Sequence, residues 1–168
     1  MDVAELLAEI YDRIPGIVEQ SVADLSMEQL LAPPTAGANP IGWLVWHIGR
    51  VQDAQISPLM GVEQLWATGP WAPRFGLDPD PANMGYGHSA EQVAAVRPDS
   101  VEVLIEHLAA CQERSLGFIS AVTSDDLDSV VDERWTPPVT LGVRLVSVAV
   151  DCLEHAGQAA YLRGMLIG

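Results

Sequence analysis

The sequence predicts an all-α four-helix bundle, and three observations carry that expectation. Four long segments repeat apolar residues at three- and four-residue spacings, the signature of amphipathic helices. Between them lie stretches dense in Pro, Gly, Asn and Asp, the residues that punctuate helices. The 168 residues are 49% apolar, enough for one domain with its own core, and residues 1–168 read as a single domain.

The first helical segment spans about Val3 to Val22, with Leu6, Leu7, Ile10, Ile14, Ile17 and Val18 in register, and Pro15 predicts a kink in it. Leu25 to Leu30 reads as a short turn capped by Ser26, with Gln29 three residues on. After the loop Pro33–Pro40, a second helix is expected from Pro40 to about Met60, capped by Asn39 with Pro40 at its first position. Ile41, Leu44, Val45, Ile48, Val51 and Ile56 form its inward side.

From Gly61 to Pro98 the periodicity is lost. This long connection carries Trp66, Trp71, Phe75 and Tyr86, which either lid a pocket or anchor the segment to the bundle. Asp99 or Ser100 caps a third helix to about Val122. A turn at Thr123–Leu127 and a loop at Trp135–Pro138 lead to a fourth helix from Thr140 to about Leu166. Its buried side is Leu141, Leu145, Val148, Cys152, Ala156, Ala159 and Leu162. The two halves share one plan: a long helix, a capped acidic turn, a Pro-Pro loop, and a helix bearing His-x-Gly at His47 and His155. That order suggests pseudo-twofold helix pairs that bring the two histidines to one place.

Net charge is −15, and all eight basic residues are arginine. So acidic a chain is repelled by nucleic acid and anionic membranes, and neither is an expected partner. No apolar run approaches the length of a spanning helix, and the N-terminal segment lacks the basic start and apolar stretch of a secretory signal, so a cytoplasmic location is expected. Cys111 and Cys152 belong to no CxxC pair and read as reduced, buried thiols.

Chemistry concentrates at three positions. Asp151 and His155 stand four apart, one turn apart on one helix face, where two side chains can share an ion. Asp151 interrupts an apolar run, and a buried carboxylate is costly unless paired or coordinated. His47, among Leu44, Trp46 and Ile48, is the best third ligand. Two imidazoles and a carboxylate suit zinc first, with nickel or ferrous iron also compatible, and three protein ligands leave positions open for water or substrate. The bland alternative is an Asp–His hydrogen bond on a helix. His88 in Gly85-Tyr86-Gly87-His88, Gln158 and Arg163 are candidate substrate contacts, though a loop hydrogen bond for His88 and a helix-end role for Arg163 compete. His107 reads as a residue of the core boundary.

These residues carry a resemblance. Asn39-Pro40-Ile41-Gly42-Trp43-Leu44-Val45-Trp46-His47 with Arg50-Val51-Gln52-Asp53, the Gly-Tyr-Gly-His loop, Pro137-Pro138-Val139-Thr140-Leu141-Gly142, and Asp151-x-x-x-His155-Ala156-Gly157-Gln158 with Tyr161-Leu162-Arg163 resemble the DinB-like (YfiT-like) bundles, most closely their actinobacterial members. The resemblance implies a bundle with a long crossover. It also implies a divalent ion held by one histidine of the second helix and a His-x-x-x-His of the last. His47 and His155 match that pattern; Asp151 replaces the remaining histidine.

Characterised relatives are thiol-dependent, among them mycothiol-dependent maleylpyruvate isomerase and transferases of mycothiol or bacillithiol. The resemblance therefore implies a metal-dependent S-transferase, with mycothiol as cosubstrate and a small electrophile as partner. Two other classes remain. One is a metal-dependent hydrolase, for which Asp53 and Glu154 are candidate bases; the other is a non-catalytic, stress-related metal-binding module. Bundles of this kind are often dimers, so a homodimer is one expectation, with no sequence pattern marking its interface.

Overall fold

The computed structural model describes residues 1–167 and bears out the all-α bundle. Its first arm is two segments, α1 (Val3–Tyr11) and α2 (Arg13–Val22), followed by the short α3 (Met27–Leu31). The long α4 (Ile41–Ile56) runs into a 3₁₀ turn over Ser57–Met60. The connection that follows carries α5 (Leu65–Thr68), α6 (Trp71–Arg74) and α7 (Ala90–Ala95) before α8 (Val101–Ile119). A second 3₁₀ turn at Ser124–Asp126, strands β1 (Val130–Asp132) and β2 (Val139–Thr140), and α9 (Leu141–Ile167) complete the chain. In the bundle α4 packs against α8 and α9, and the α1–α2 arm packs against the same two. Each half of the chain thus supplies one diagonal pair, the arrangement that its repeated order of elements suggests.

The arm breaks at Asp12 rather than at Pro15. Pro15 occupies the first turn of α2, and its ring excludes the carbonyl of the residue four earlier, Tyr11, so the ladder is interrupted one turn upstream. Tyr11 is buried there and donates its hydroxyl to the Leu145 carbonyl at 3.0 Å, tying the arm to α9. Ser26 and Gln29 form the expected reciprocal cap, and Ser100 caps α8 by accepting from the Val103 N–H. Asn39 does not cap α4. Pro40 precedes its first turn with no side-chain cap, and Asn39 lines a cavity described below. The expected loop at Trp135–Pro138 is present, and the short strands β1 and β2, antiparallel and irregular in register, pair on either side of it as a hairpin.

From Ile41 to Asp53 every residue of α4 is buried, so polar groups on this helix must find partners inside. Arg50 and Asp53 do so together. The Arg50 Nη1–H donates to Asp53 Oδ2 at 3.2 Å, its Nε–H to the Asn83 carbonyl at 2.9 Å, and its Nη2 to Gln64 Oε1 at 2.9 Å. Asp53 also accepts from the Ser57 hydroxyl and from the Leu65 and Trp66 N–H groups, at 2.8 to 2.9 Å. Burial lowers the Arg50 guanidinium to about 10, with Asp53 opposing that shift. This network anchors the connection from both ends of its first half. Trp66 and Phe75 are fully buried against it, so these aromatics anchor rather than lid; Tyr86 alone of the four is exposed.

His107 is deeper than the core boundary expected for it. It is 1% exposed among Trp66, Trp71 and Phe75, with its Nε2 3.5 Å from Cys111 Sγ and its Nδ1 unpartnered. A Cβ on Gly49 would lie 2.7 Å from that Nδ1, so glycine admits the ring. Both cysteines are free and buried, and burial raises both thiols, which makes them structural rather than reactive. No helix among the described residues is long and apolar enough to cross a membrane.

Two stability predictions follow from these buried groups. Removing the Asp53 carboxylate (Asp53→Ala) leaves Arg50 charged and unpaired in the interior, which is expected to destabilise the fold by about 3–5 kcal/mol. Urea denaturation measures it, and a loss below about 1 kcal/mol would contradict the network's role. Burial lowers His107 to about 3, whereas the unfolded chain titrates near the ordinary histidine value. The unfolded state therefore binds the extra proton between those limits. The stabilisation is full above about pH 6.5 and declines by roughly 1.4 kcal/mol per pH unit below it. His107→Leu should flatten the acid limb of a stability–pH profile, and an unchanged slope would refute the assignment.

Candidate metal centre

α4 and α9 lie side by side, and their contact brings His47 against Asp151 and His155. One donor atom from each of the three lies within 4.8 Å of the others. His47 Nε2 is 3.6 Å from Asp151 Oδ2, and His155 Nε2 is 3.8 Å from Asp151 Oδ1. The imidazole centroids of His47 and His155 are 4.9 Å apart. Donors around a tetrahedral zinc ion stand roughly 3.4 Å from one another, so the three side chains must draw together from separations of up to 4.8 Å to share an ion.

Each imidazole is held by the nitrogen that faces away. His47 Nδ1 bonds the Met84 carbonyl, and only an N–H can donate to a carbonyl, so the proton resides on Nδ1 and the Nε2 lone pair faces the cluster. His155 Nδ1 pairs with Gln158 Oε1 at 2.9 Å and takes the same tautomer. Such outward partners orient imidazole ligands in metal sites. Gln158, a candidate substrate contact by sequence, is instead the partner that holds His155. Asp151 Oδ2 is buried and has no hydrogen bond, an orphaned acceptor beside two free imidazole lone pairs. Burial lowers the pKa of His47, with Asp151 opposing, which keeps the ring in the neutral, ligating form. The donor set fits a divalent cation and would supply three of its positions.

The Met84 carbonyl reaches His47 because Gly85 follows it. Gly85 has φ +99°, and a Cβ there would stand 2.8 Å from His47 Nδ1 and 2.9 Å from the Trp43 ring. The Trp43 ring stacks on His47 at 4.8 Å between centroids, closing one side. His88 also comes to the site, as part of its wall. Its Nδ1 accepts from the Trp43 indole N–H at 3.2 Å, and its Nε2–H donates to Asn83 Oδ1 at 2.8 Å. With both nitrogens engaged the ring is a loop hydrogen-bonding group, and burial lowers its pKa.

Arg163, the remaining candidate contact, does not join the site. Its guanidinium donates to the Ala23 carbonyl at the end of α2, where that helix leaves acceptors open. Asp53, a candidate base, is locked to Arg50 and backbone amides, and Glu154 lies on the exposed side of α9.

Two cavities of about 320 Å³ each flank the triad and share His47, Tyr86 and Asp151. The first is bounded by Asn39, Trp43, His88 and His155. The second extends toward the hairpin, past Val51, Trp135 and Arg144. Sequence reasoning missed Met84, Asn39, Gln55 and Arg144 as site residues. Only the paired glycines around Tyr86 hinted that backbone approaches a side chain there, and a main-chain carbonyl leaves no residue-type signal.

Fold and site together define a helical bundle that carries a potential divalent-metal centre. A profile of the DinB superfamily matches residues 10–159, and the chain belongs to that superfamily. It is similar to a crystal structure of a conserved protein from Enterococcus faecalis, with a TM-score of 0.91 and 33% identity over 100% of this chain and 99% of that one. No curated protein matches.

Gly85→Ala is expected to strain the backbone by roughly 1–3 kcal/mol and to push the loop off His47. Losing the Met84 contact should weaken zinc binding by about 10- to 100-fold, the usual effect of removing an imidazole's outward partner. Competition with a chromogenic chelator measures it, and an unchanged affinity would dismiss Gly85 as the determinant.

Proposed function

We propose that the protein is a divalent-metal-dependent S-transferase that joins a small-molecule thiol to an electrophile, with His47, Asp151 and His155 as ligands. The observation that carries this reading is the pair of cavities meeting at one His47–Asp151 edge. A reaction that unites two substrates needs two such spaces opening on one centre. A divalent ion in this triad would lower the pKa of a thiol at an open position and hold the anion as nucleophile. Zinc suits the two nitrogens and one oxygen best, with nickel or ferrous iron as alternatives. The resemblance of the Asn39–Asp53 and Asp151–Arg163 segments to thiol-dependent relatives suggests mycothiol as the thiol.

The chain's own groups take distinct parts. Met84 and Gln158 hold the two imidazoles so that both Nε2 atoms face inward. Trp43 covers one face of the His47 ring. Neither protein cysteine is required, consistent with their burial. For simple substitution, the thiolate sulfur forms a bond to the electrophilic carbon while the leaving group departs with its electron pair, and the thiol proton passes to solvent. A hydrolytic reading is less well supported, because a base for water is wanting: Asp53 is committed and both His88 nitrogens are engaged.

Metal-loaded protein incubated with mycothiol and 1-chloro-2,4-dinitrobenzene should form the thioether and release chloride above the uncatalysed rate. His155→Ala should reduce that rate at least about 100-fold, since loss of an outward partner alone commonly costs up to that factor. Full activity in His155→Ala, or turnover of the electrophile without thiol, would overturn the proposal. Elemental analysis of protein prepared without chelators should find about one ion per chain.

A further inference from the structure

The cavity on the hairpin side of the triad has two unlike walls. One is apolar, formed by Val51, Met84, Trp135, Val139 and Val148. The other holds Arg134 and Arg144 with Asp132 between them. Asp132 Oδ1 accepts from Arg134 Nε at 2.8 Å, and its Oδ2 accepts from Arg134 Nη2 at 2.8 Å and Arg144 Nη2 at 3.0 Å. Gln55 Oε1 accepts from Arg144 Nη1. Two guanidiniums around one carboxylate give this wall a unit of positive charge, with the Asp151 carboxylate at the cavity's far edge beside His47. Their mutual pairing also orders them before any ligand arrives, which removes part of the entropic cost of binding.

We propose that this groove selects an organic acid with an apolar body. Its carboxylate pairs with Arg144 and Arg134, and its body lies on Trp135 and the valines. Arg134 Nη1 and Arg144 Nε make none of these bonds and can donate to a ligand carboxylate, and such charge-assisted hydrogen bonds are among the stronger polar contacts. The shared edge at His47 and Asp151 places the rest of the acid beside the metal ligands. The proposal rests on the S-transfer reading only in making this acid the electrophile; binding of the acid is independent of any thiol.

The test uses cinnamate and cinnamamide, which share a body and differ in charge, titrated calorimetrically into the full chain without thiol. Chelator-treated and zinc-loaded protein are compared. Cinnamate should bind about tenfold more tightly than the amide in both preparations. Arg144→Gln should bring that ratio close to one, and Arg144→Lys should keep part of it. Arg134→Gln, at a side chain 84% exposed and therefore safe for folding, should lower the ratio roughly threefold.

Equal affinity for acid and amide in the parent protein would overturn the proposal. So would a ratio unchanged in both glutamine variants, or a preference that appears only with zinc, which assigns the carboxylate to the ion. A failed thiol-transfer assay with the acid preference intact would sink the S-transfer reading alone. Conjugation of a neutral electrophile without acid preference would sink only the groove.

Discussion

The site depends on the burial of a charged pair on α4. Arg50 and Asp53 lie in a helix with no exposed face from Ile41 to Asp53, and neither tolerates that position alone. Their remaining hydrogen bonds run outward to Asn83, Pro81, Gln64, Leu65 and Trp66, so satisfying the pair fixes the path of the connection after α4. Asn83 and Met84 are adjacent in that connection. The carbonyl of the first accepts from Arg50, and that of the second accepts from His47. A desolvated guanidinium one turn below the histidine thereby sets the orientation of the His47 ring.

The opposite side of the centre is built by simpler means. Asp151 and His155 belong to one helix, and Gln158, one turn further, holds the His155 ring. No loop has to close there, since the i, i+3 and i, i+4 spacings do the positioning. The difference explains where sensitivity should concentrate. The α9 side is rigid by virtue of its helix, whereas the α4 side relies on a connection whose approach at Gly85 leaves no room for a Cβ.

Most of this was legible in the sequence where apolar periodicity or an interrupted apolar run supplied a signal. His47, Asp151 and His155 stood out because each breaks such a run, and the contact of α4 with α9 brings them together. The four helices were legible for the same reason. The helices α5, α6 and α7, four to six residues each, are too short to show a period and owe their form to docking. Asp53 was read as a candidate base because residue type alone does not reveal that a carboxylate already has four partners. Arg163 was read toward the pocket because its distance along α9 says nothing of the Ala23 carbonyl that receives it.

The repeat shows how far pattern alone can reach. It correctly placed His47 and His155 on helices that meet, yet the glycine two residues after each histidine has unrelated duties. Gly49 makes room for the His107 ring, whereas a Cβ on Gly157 would meet nothing within 4 Å. The surroundings of the two histidines are equally unlike, one ring buried under Trp43 and the Met84 carbonyl, the other at the rim beside Gln158. Asymmetry of this kind has a chemical consequence. A symmetric pair of histidines would present the same environment on both sides of an ion. Here the wall of Trp43 and His88 faces one cavity, and Arg134 of the hairpin with Arg144 of α9 faces the other, so the two sides of the His47–Asp151 edge differ in chemistry.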